Sequence, residues 1–374
     1  MTLKPLSYHQ HPAEVIRHFT PNWFTMTMGT GILLLMIHAF PYPFPGQLSL
    51  AKGLWWSDAV IYLVFCLLFS ARLLWETDSI KHLMAHPVQS MFLGAIPMGL
   101  VPLINGGLLF GMPVALAQGL WWLDVVLAVG FGWLVPYFMF TRQSHNLQDM
   151  TAVWLLPLVS AEVTASSGGY LAPHLSLDAA QAVIGTSYVL WALSVPLALG
   201  VVAVVFLRLA LHKLPKRNMA ASSWLVLGPI GTGALALLVL GQAAVPAFAG
   251  TPLANAAQFA RPFGLIGGLL LWGYGIWWWG MAWLFTLRYL REGLPFNMGW
   301  WGFTFPLGVY TAATLTLAQA TGWSGFDVFG ALLVIQLAVF WCVVMLRTLH
   351  GMWHGYLFEA PCLAGERQTQ ASVP

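Results

Sequence analysis

The sequence predicts an all-α integral membrane protein, with ten transmembrane helices forming five repeated hairpins around a central pore. Of the 374 residues, 59% are hydrophobic and only 7% are charged, whereas soluble domains carry about 25% charged residues. Apolar segments of about twenty residues, the length that crosses a bilayer as a helix, recur along the whole chain. We therefore expect one membrane domain and no soluble domain.

Ten apolar segments are long enough to cross a bilayer. They comprise residues 23–41, 53–73, 88–110, 118–140, 150–171, 180–207, 222–245, 260–287, 299–320 and 326–348. This division predicts a short N-terminal lead at residues 1–22, a membrane domain at residues 23–348 and a C-terminal tail at residues 349–374.

The distribution of basic residues predicts the orientation. With ten spans, thirteen of the fifteen Lys and Arg residues fall on the side of the two termini, and only Lys52 and Arg261 fall on the other. Short cytoplasmic loops of membrane proteins carry an excess of Lys and Arg. We therefore expect a multi-pass protein of the inner (plasma) membrane with both termini in the cytoplasm.

Odd-numbered and even-numbered segments differ in composition. The odd segments are rich in Gly, Ser and Thr, and four of them carry a proline in the cytoplasmic half, at Pro97, Pro157, Pro229 and Pro306. Proline removes a helix hydrogen bond and frees a carbonyl that lipid cannot satisfy. We expect the odd helices to surround the pore and the bulkier even helices to face lipid. The alternative is that Gly and Pro only assist packing, as they often do in membrane helices.

The ninth segment suggests a gate. In WWGFTFPLGVYTAATLTLAQA (300–320), Phe305 precedes Pro306, and three smaller residues follow Phe305 on the same helical face. One large ring above a stripe of smaller side chains would close a narrow pore, with Pro306 and Gly308 as the hinge. A Pro-kinked helix with Phe305 packed in the core is the alternative. The residues predicted to line the pore are Gly29, Thr30, Pro97, Pro157, Pro229, Val309, Ala312 and Thr316.

Glu162 is the one acidic residue near the middle of a predicted span. Ionisable residues at membrane depth are costly and are functional candidates by default. A protonated Glu162 could couple proton movement to transport. Alternatively, it is a neutral side chain bonded to a backbone carbonyl behind the pore wall.

An intramembrane enzyme is disfavoured, because no paired acid, Ser/His pair or metal cluster lies at membrane depth. Cys66, Cys342 and Cys362 have no motif spacing, and we expect no catalytic residue, metal or cofactor. The basic loop at Lys213, Lys216 and Arg217 is explained by topology and anionic lipid, so no nucleic-acid partner is expected.

The second and fourth segments share the motif WW-x-D, at Trp55–Asp58 and Trp121–Asp124. Tryptophan is enriched at membrane interfaces, and acidic side chains suit the N-terminus of a helix. The motif therefore predicts two residue clusters at the membrane interface.

Five stretches together resemble one known family. They are FTPNWFTMTMGTGIL (19–33), WLLPLVSAEVTASSGG (154–169), SSWLVLGPIGTGALAL (222–237), LPFNMGWWGFTFPLGVYTAATL (294–315) and LHGMWHGYLFEAPCL (349–363). They are similar to the tellurite-resistance/dicarboxylate transporter family, which includes bacterial TehA, yeast malate permeases, fungal sulfite efflux pumps and plant slow anion channels. The resemblance runs from about residue 17 to 363, and WWGFTFPLG is its most specific part.

The resemblance implies ten helices in five hairpins around a pore, a homotrimer with one pore in each protomer, and a phenylalanine plug that falls on Phe305. It also implies an anionic substrate, which is malate or another C4-dicarboxylate, sulfite, or another inorganic anion. The expected function is anion transport through a central pore gated by Phe305. A proton-coupled dicarboxylate or sulfite carrier that uses Glu162 is the alternative.

Overall fold

The computed structural model describes Tyr8, His11 and residues 14–363. Within these residues the chain forms twelve α-helices and seven short 3-10 helices, and no strand, so the all-α prediction is confirmed. The predicted N-terminal lead and C-terminal tail lie partly outside the described residues. Lys4 and Arg367, which were counted in predicting the orientation, also lie outside them.

Ten of the twelve α-helices overlap the ten predicted segments, and the two short helices α1 and α4 lie between or before those segments. The α-helices are α1 (Glu14–His18), α2 (Phe24–His38), α3 (Gln47–Trp75), α4 (Thr77–Ala85), α5 (Ala95–Phe110), α6 (Val114–Thr141), α7 (Leu156–Leu171), α8 (Leu177–His212), α9 (Leu227–Ala247), α10 (Ala254–Glu292), α11 (Phe305–Thr321) and α12 (Ser324–His354).

Six helical stretches among the described residues are long and apolar enough to cross a membrane. These are Gln47–Trp75, Gln89–Phe110, Val114–Thr141, Leu177–His212, Arg217–Ala247 and Ser324–His354. Two of them join a 3-10 helix to the α-helix that follows it.

A 3-10 helix immediately precedes each of the helices α2, α5, α7, α9 and α11. These short helices are Pro21–Trp23, Gln89–Gly94, Ala152–Leu155, Arg217–Val226 and Met298–Phe303. The prolines of the odd segments mark these junctions. Pro157 and Pro306 are the second residues of their α-helices, and Pro97 and Pro229 are the third.

The alternative that Pro306 kinks its helix from within is therefore wrong, and Pro97, Pro157 and Pro229 also lie in the first turn of their helices. A proline is tolerated in the first turn of an α-helix, because the N–H groups there have no intrahelical partner to lose. At these junctions proline starts the α-helix instead of interrupting it.

Burial separates the ten long helices into two sets. In α11, fourteen of the seventeen residues are buried, whereas in α6 only five of twenty-eight are buried. Helices α2, α5, α7 and α9 resemble α11 in this respect, and α3, α8, α10 and α12 resemble α6. A helix buried on all sides belongs to the interior of the molecule. The second set instead exposes Leu, Val, Phe and Trp side chains on its outer surface.

The five buried helices contact one another in a closed order. Helix α2 contacts α5, α5 contacts α7, α7 contacts α9, α9 contacts α11, and α11 contacts α2. Each of the five exposed helices packs between two successive buried ones. For example, α3 contacts both α2 and α5, and α12 contacts both α11 and α2.

One hydrogen bond recurs at every step of this arrangement. A tryptophan indole N–H on each exposed helix donates to the next buried helix, and the last one, on α12, donates to the first buried helix, α2. The five pairs are Trp55 to the Leu103 carbonyl (3.0 Å), Trp121 to the Thr164 carbonyl (3.0 Å), Trp191 to the Gly233 carbonyl (3.0 Å), Trp272 to Thr314 Oγ1 (2.9 Å) and Trp341 to Thr30 Oγ1 (3.0 Å).

The interfacial prediction for the WW-x-D motif is wrong. Asp58 is the twelfth residue of α3 and Asp124 the eleventh of α6, and both are fully buried. Residues three apart share a helix face, so each aspartate follows the inward tryptophan of its motif into the protein. Thr164 Oγ1 donates to Asp124 Oδ2 at 2.7 Å, whereas neither carboxyl oxygen of Asp58 has a hydrogen-bond partner among the described residues.

Candidate functional site

Two cavities lie among the five buried helices. The larger, of about 610 Å³, is lined by 3-10 helices and first turns of the buried helices, and we call it the N-terminal cavity. The smaller, of about 220 Å³, is lined by later turns of α2, α5, α7, α9 and α11, and we call it the C-terminal cavity. Phe305 is the one described residue that belongs to both linings.

Phe305 is the first residue of α11 and is 4% exposed. Thr304 just before it has a backbone outside the regular helix, with φ −96° and ψ −66°. Pro306 lines the N-terminal cavity. Phe305 therefore borders both cavities at the point where the 3-10 helix ends and α11 begins.

The stripe that follows Phe305 lies on the C-terminal cavity. Val309, Ala312 and Thr316 all line it together with Phe305. The Thr316 hydroxyl donates to the Ala312 carbonyl at 2.8 Å, so its proton is already engaged within the helix. The structure thus brings together the four residues of α11 that the sequence placed on one face.

The other predicted pore-lining residues are in neither lining, and two of them pack against neighbouring elements. A Cβ on Gly29 would lie 2.3 Å from Thr304 Oγ1, and Thr30 accepts the hydrogen bond from Trp341. Gly308, predicted as part of the hinge, faces Ile32 of α2, where a Cβ would meet Ile32 Cγ1 at 2.5 Å. The predicted residues that line neither cavity are Gly29, Thr30, Pro97, Pro157 and Pro229.

Neutral polar side chains line the N-terminal cavity. They are Asn22, Thr25, Gln89, Asn218, Ser222 and Asn297. One of them joins two segments of the chain, since Asn297 Nδ2 donates to the backbone carbonyl of Asn218 at 2.9 Å. Glu359 and His86 are also present, and no Lys, Arg or Asp occurs among the described lining residues.

These polar residues were not predicted from the sequence, because most of them precede the α-helices. The signal for them was available, since Gln89, Asn218 and Asn297 each lie about ten residues before the proline of an odd segment. The N-terminal ends of the five buried helices converge on the same cavity. The aligned peptide dipoles of a helix place a partial positive charge at its N-terminal end, which favours anions.

His86 is a half-buried member of this lining, in the loop before Gln89–Gly94. Its Nδ1 accepts hydrogen bonds from the backbone N–H groups of Val88 and Gln89, both at 3.2 Å. Only an unprotonated Nδ1 can accept these bonds. Burial lowers the pKa of His86 below its ordinary value of 6.5, in agreement with a neutral ring.

The protein should lose stability as the pH falls below about 6.5, because the unfolded chain then protonates His86 before the folded chain does. The loss should begin near the unfolded pKa and level off below the lowered folded pKa. Thermal unfolding of His86→Asn between about pH 8 and about pH 5 should show a weaker pH dependence than the wild type. His212→Asn, at an exposed position, is the control and should keep the wild-type slope. Equal slopes in all three proteins would contradict the assignment.

The chain matches the sequence profile of the voltage-dependent anion channel family, SLAC1, over residues 18–349. The chain belongs to this family. Sulfite efflux pump SSU1 of Arthroderma otae is 36% identical over 355 residues, covering 92% of this chain and 93% of the pump. An uncharacterized transporter of Methanocaldococcus jannaschii is 29% identical over 350 residues, covering 92% and 97%. The malic acid transport protein of Schizosaccharomyces pombe is 22% identical over 380 residues, covering 98% and 85%.

Membership of the voltage-dependent anion channel family confirms the resemblance found in the sequence. It makes this chain a multi-pass membrane protein of a transporter and channel family with sulfite-efflux and malate-transport relatives.

Glu162 lies outside both cavities of this family member. It is fully buried on α7, and neither carboxyl oxygen has a hydrogen-bond partner among the described residues. Ser194 of α8 is close to it, but the Ser194 hydroxyl donates to the Leu158 carbonyl at 2.7 Å. The hydrogen bond to a backbone carbonyl that the alternative interpretation of Glu162 required is not formed among the described residues, and the side chain lines neither cavity.

Proposed function

We propose that this chain carries a small anion across the membrane through the N-terminal cavity, past Phe305 and through the C-terminal cavity. The observation that carries the proposal is that Phe305 belongs to both cavity linings. Hydrophobic constrictions gate channels by excluding water and ions. The Phe305 ring is then the gate, and the backbone at Thr304 and Pro306 is where it hinges.

We propose that ten helices span the membrane as five hairpins around this pathway, with α2, α5, α7, α9 and α11 inside. The closed order of contacts among these helices supports this arrangement, as do the apolar outer surfaces of the other five. Tryptophan hydrogen bonds tie each exposed helix to the next buried one. With both termini in the cytoplasm of a plasma-membrane protein, the N-terminal cavity faces the cytoplasm.

Weak contacts select the anion in this proposal. A pore must bind its ion weakly enough to release it, and no Lys or Arg occurs in the described part of either lining. Helix N-termini and neutral amides supply a modest positive potential instead. Among the described lining residues of the N-terminal cavity, Glu359 is the one acidic residue, and it belongs to the C-terminal segment after α12.

Sulfite is the substrate that we favour, and malate comes second. Three relatives that bear the name sulfite efflux pump are 35–36% identical to this chain and two others are 27% and 23% identical, whereas the malic acid transport protein is 22% identical. The C-terminal cavity, of about 220 Å³, has room for a small inorganic anion. With the proposed orientation, sulfite leaves the cytoplasm through the N-terminal cavity.

Anion flux into proteoliposomes that hold the purified protein tests this function. Sulfite, chloride, nitrate and malate are compared, each with and without a pH gradient. We expect sulfite, chloride and nitrate to move down their own concentration gradients, at the same rate with and without a pH gradient. Absence of flux for all four anions would overturn the proposal.

A proton-coupled carrier is the second candidate, favoured by the buried carboxyl of Glu162, which has no hydrogen-bond partner among the described residues. For a passive channel, Glu162→Gln should leave anion flux and its pH dependence unchanged, because the side chain lines neither cavity. For a coupled carrier, the same change should abolish the dependence of flux on the proton gradient. Asp124→Asn removes another buried carboxyl, and it controls for loss of stability. The measurement is the proteoliposome assay at equal protein content.

The homotrimer implied by the family resemblance stays a prediction. Chemical cross-linking in native membranes, followed by denaturing electrophoresis, tests it.

A further inference from the structure

A cleft of about 780 Å³ lies outside both cavities, between the C-terminal ends of α8 and α10. Apolar side chains form its wall, including Leu209 of α8 and Met281, Leu284 and Phe285 of α10. One turn deeper, Phe206 and Trp277 bring these helices together, with ring centroids 6.0 Å apart. The cleft is therefore open at the ends of the helices and apolar along its length.

Basic side chains form the rim of the cleft. Of the fifteen Lys and Arg residues in the chain, four line this cleft, namely Lys213, Lys216, Arg217 and Arg288, against a single carboxylate, Glu292. Arg288 Nε pairs with Glu292 Oε1 at 2.9 Å, which neutralises that carboxylate. The rim thus keeps an excess of three positive charges beside an apolar wall.

The backbone of Lys213 is strained. Its φ of 62° and ψ of −164° fall in a region that glycine occupies almost alone, and no other non-glycine residue among those described has a positive φ. Arg208, which is 5% exposed, donates to the Lys213 carbonyl and to the Gln148 carbonyl. A buried guanidinium therefore holds the loop in a conformation that costs energy and that a glycine would adopt without strain.

We propose that this cleft binds an anionic phospholipid, with its phosphate among Lys213, Lys216 and Arg217 and an acyl chain along the wall of α8 and α10. A phosphate is attracted to clustered Lys and Arg side chains near a membrane surface, and the exposed apolar wall suits a hydrocarbon chain. Lys213 thus places a positive charge at the rim of the cleft, at a position where glycine would adopt the same backbone conformation without strain. This site does not depend on the Phe305 gate, since none of its residues lines either cavity.

The test is thermal unfolding of the purified full-length protein in detergent, followed by tryptophan fluorescence. Dioleoylphosphatidylglycerol is titrated in, and dioleoylphosphatidylcholine, glycerol phosphate and inorganic phosphate are separate arms. We expect phosphatidylglycerol to raise the Tm by at least about 2 °C, and the other three to leave it unchanged. Lys213→Gly/Lys216→Gln should weaken the lipid response at least about tenfold in midpoint concentration.

Arg142→Gln/Arg291→Gln is the matched control, because it removes two cations outside the cleft lining. It should respond to phosphatidylglycerol as the wild type does. Lys213→Gly should also raise the Tm without lipid, since it relieves the strain, and Lys216→Gln alone serves if the double variant does not fold. The same lipid response in both double variants would overturn the site. A Tm shift with inorganic phosphate alone would also overturn it, because it would indicate a site for soluble phosphate. A change in oligomeric state without lipid binding would overturn it as well.

Discussion

Replacing Phe305 with alanine should raise the flux of sulfite and chloride at least about tenfold, equivalent to lowering the barrier by about 1.4 kcal/mol. The ring lies between cavities of about 610 Å³ and about 220 Å³ and lines both. Removing it joins the two spaces without touching the polar side chains of the N-terminal cavity. Stopped-flow measurement of anion entry into proteoliposomes, at equal amounts of incorporated protein, gives the comparison.

Phe92→Ala is the matched control for this variant. Phe92 is a largely buried phenylalanine that lines the N-terminal cavity alone, so its loss enlarges one cavity without joining the two. We expect it to conduct as the wild type does, and Phe305→Leu to conduct between wild type and Phe305→Ala. Unchanged flux in Phe305→Ala would remove the gate assignment. An equal increase in Phe92→Ala would indicate a general leak from loosened packing.

The helices and their two classes could be predicted from the sequence because both depend on local composition. The segment predicted at 88–110 is the 3-10 and α-helical stretch Gln89–Phe110, for example. The face around Phe305 was also predictable, since Val309, Ala312 and Thr316 follow from helical spacing alone. Within one helix, a large residue and a run of small ones must share a side.

Which face of each other buried helix borders a cavity could not be predicted from the sequence. A helix such as α9 is buried all round, so its sequence has no polar stripe to mark a lumen. Thr30 therefore looked equivalent to a pore residue, although its hydroxyl faces Trp341 of α12. The hydrogen bonds of Trp191, Trp272 and Trp341 could not be predicted from the sequence either. Their acceptors lie on other helices, and the number of residues between each tryptophan and its acceptor is not the same for all three pairs.

The five-membered ring of buried helices depends on close backbone contact, and Gly231→Ala should test it most severely. A Cβ on Gly231 of α9 would lie 2.7 Å from the backbone nitrogen of Tyr310 and 2.8 Å from its Cα, on α11. Backbone atoms cannot rotate away as a side chain can, so α9 and α11 must separate. Overpacking of this kind costs about 1–3 kcal/mol, which exceeds the gain of up to about 1 kcal/mol from alanine's higher helix propensity.

Gly185→Ala, at an exposed position of α8, is the control. No heavy atom of a neighbouring element in the described part of the chain lies within 4 Å of its added Cβ, so the methyl group fits without displacement. Thermal unfolding of the two purified variants in detergent should therefore give a Tm below wild type for Gly231→Ala and at or above wild type for Gly185→Ala. If both variants unfolded at the wild-type temperature, α9 and α11 would not be in backbone contact. The ring would then be open beside the helix that carries Phe305, and anions would have a route around the gate.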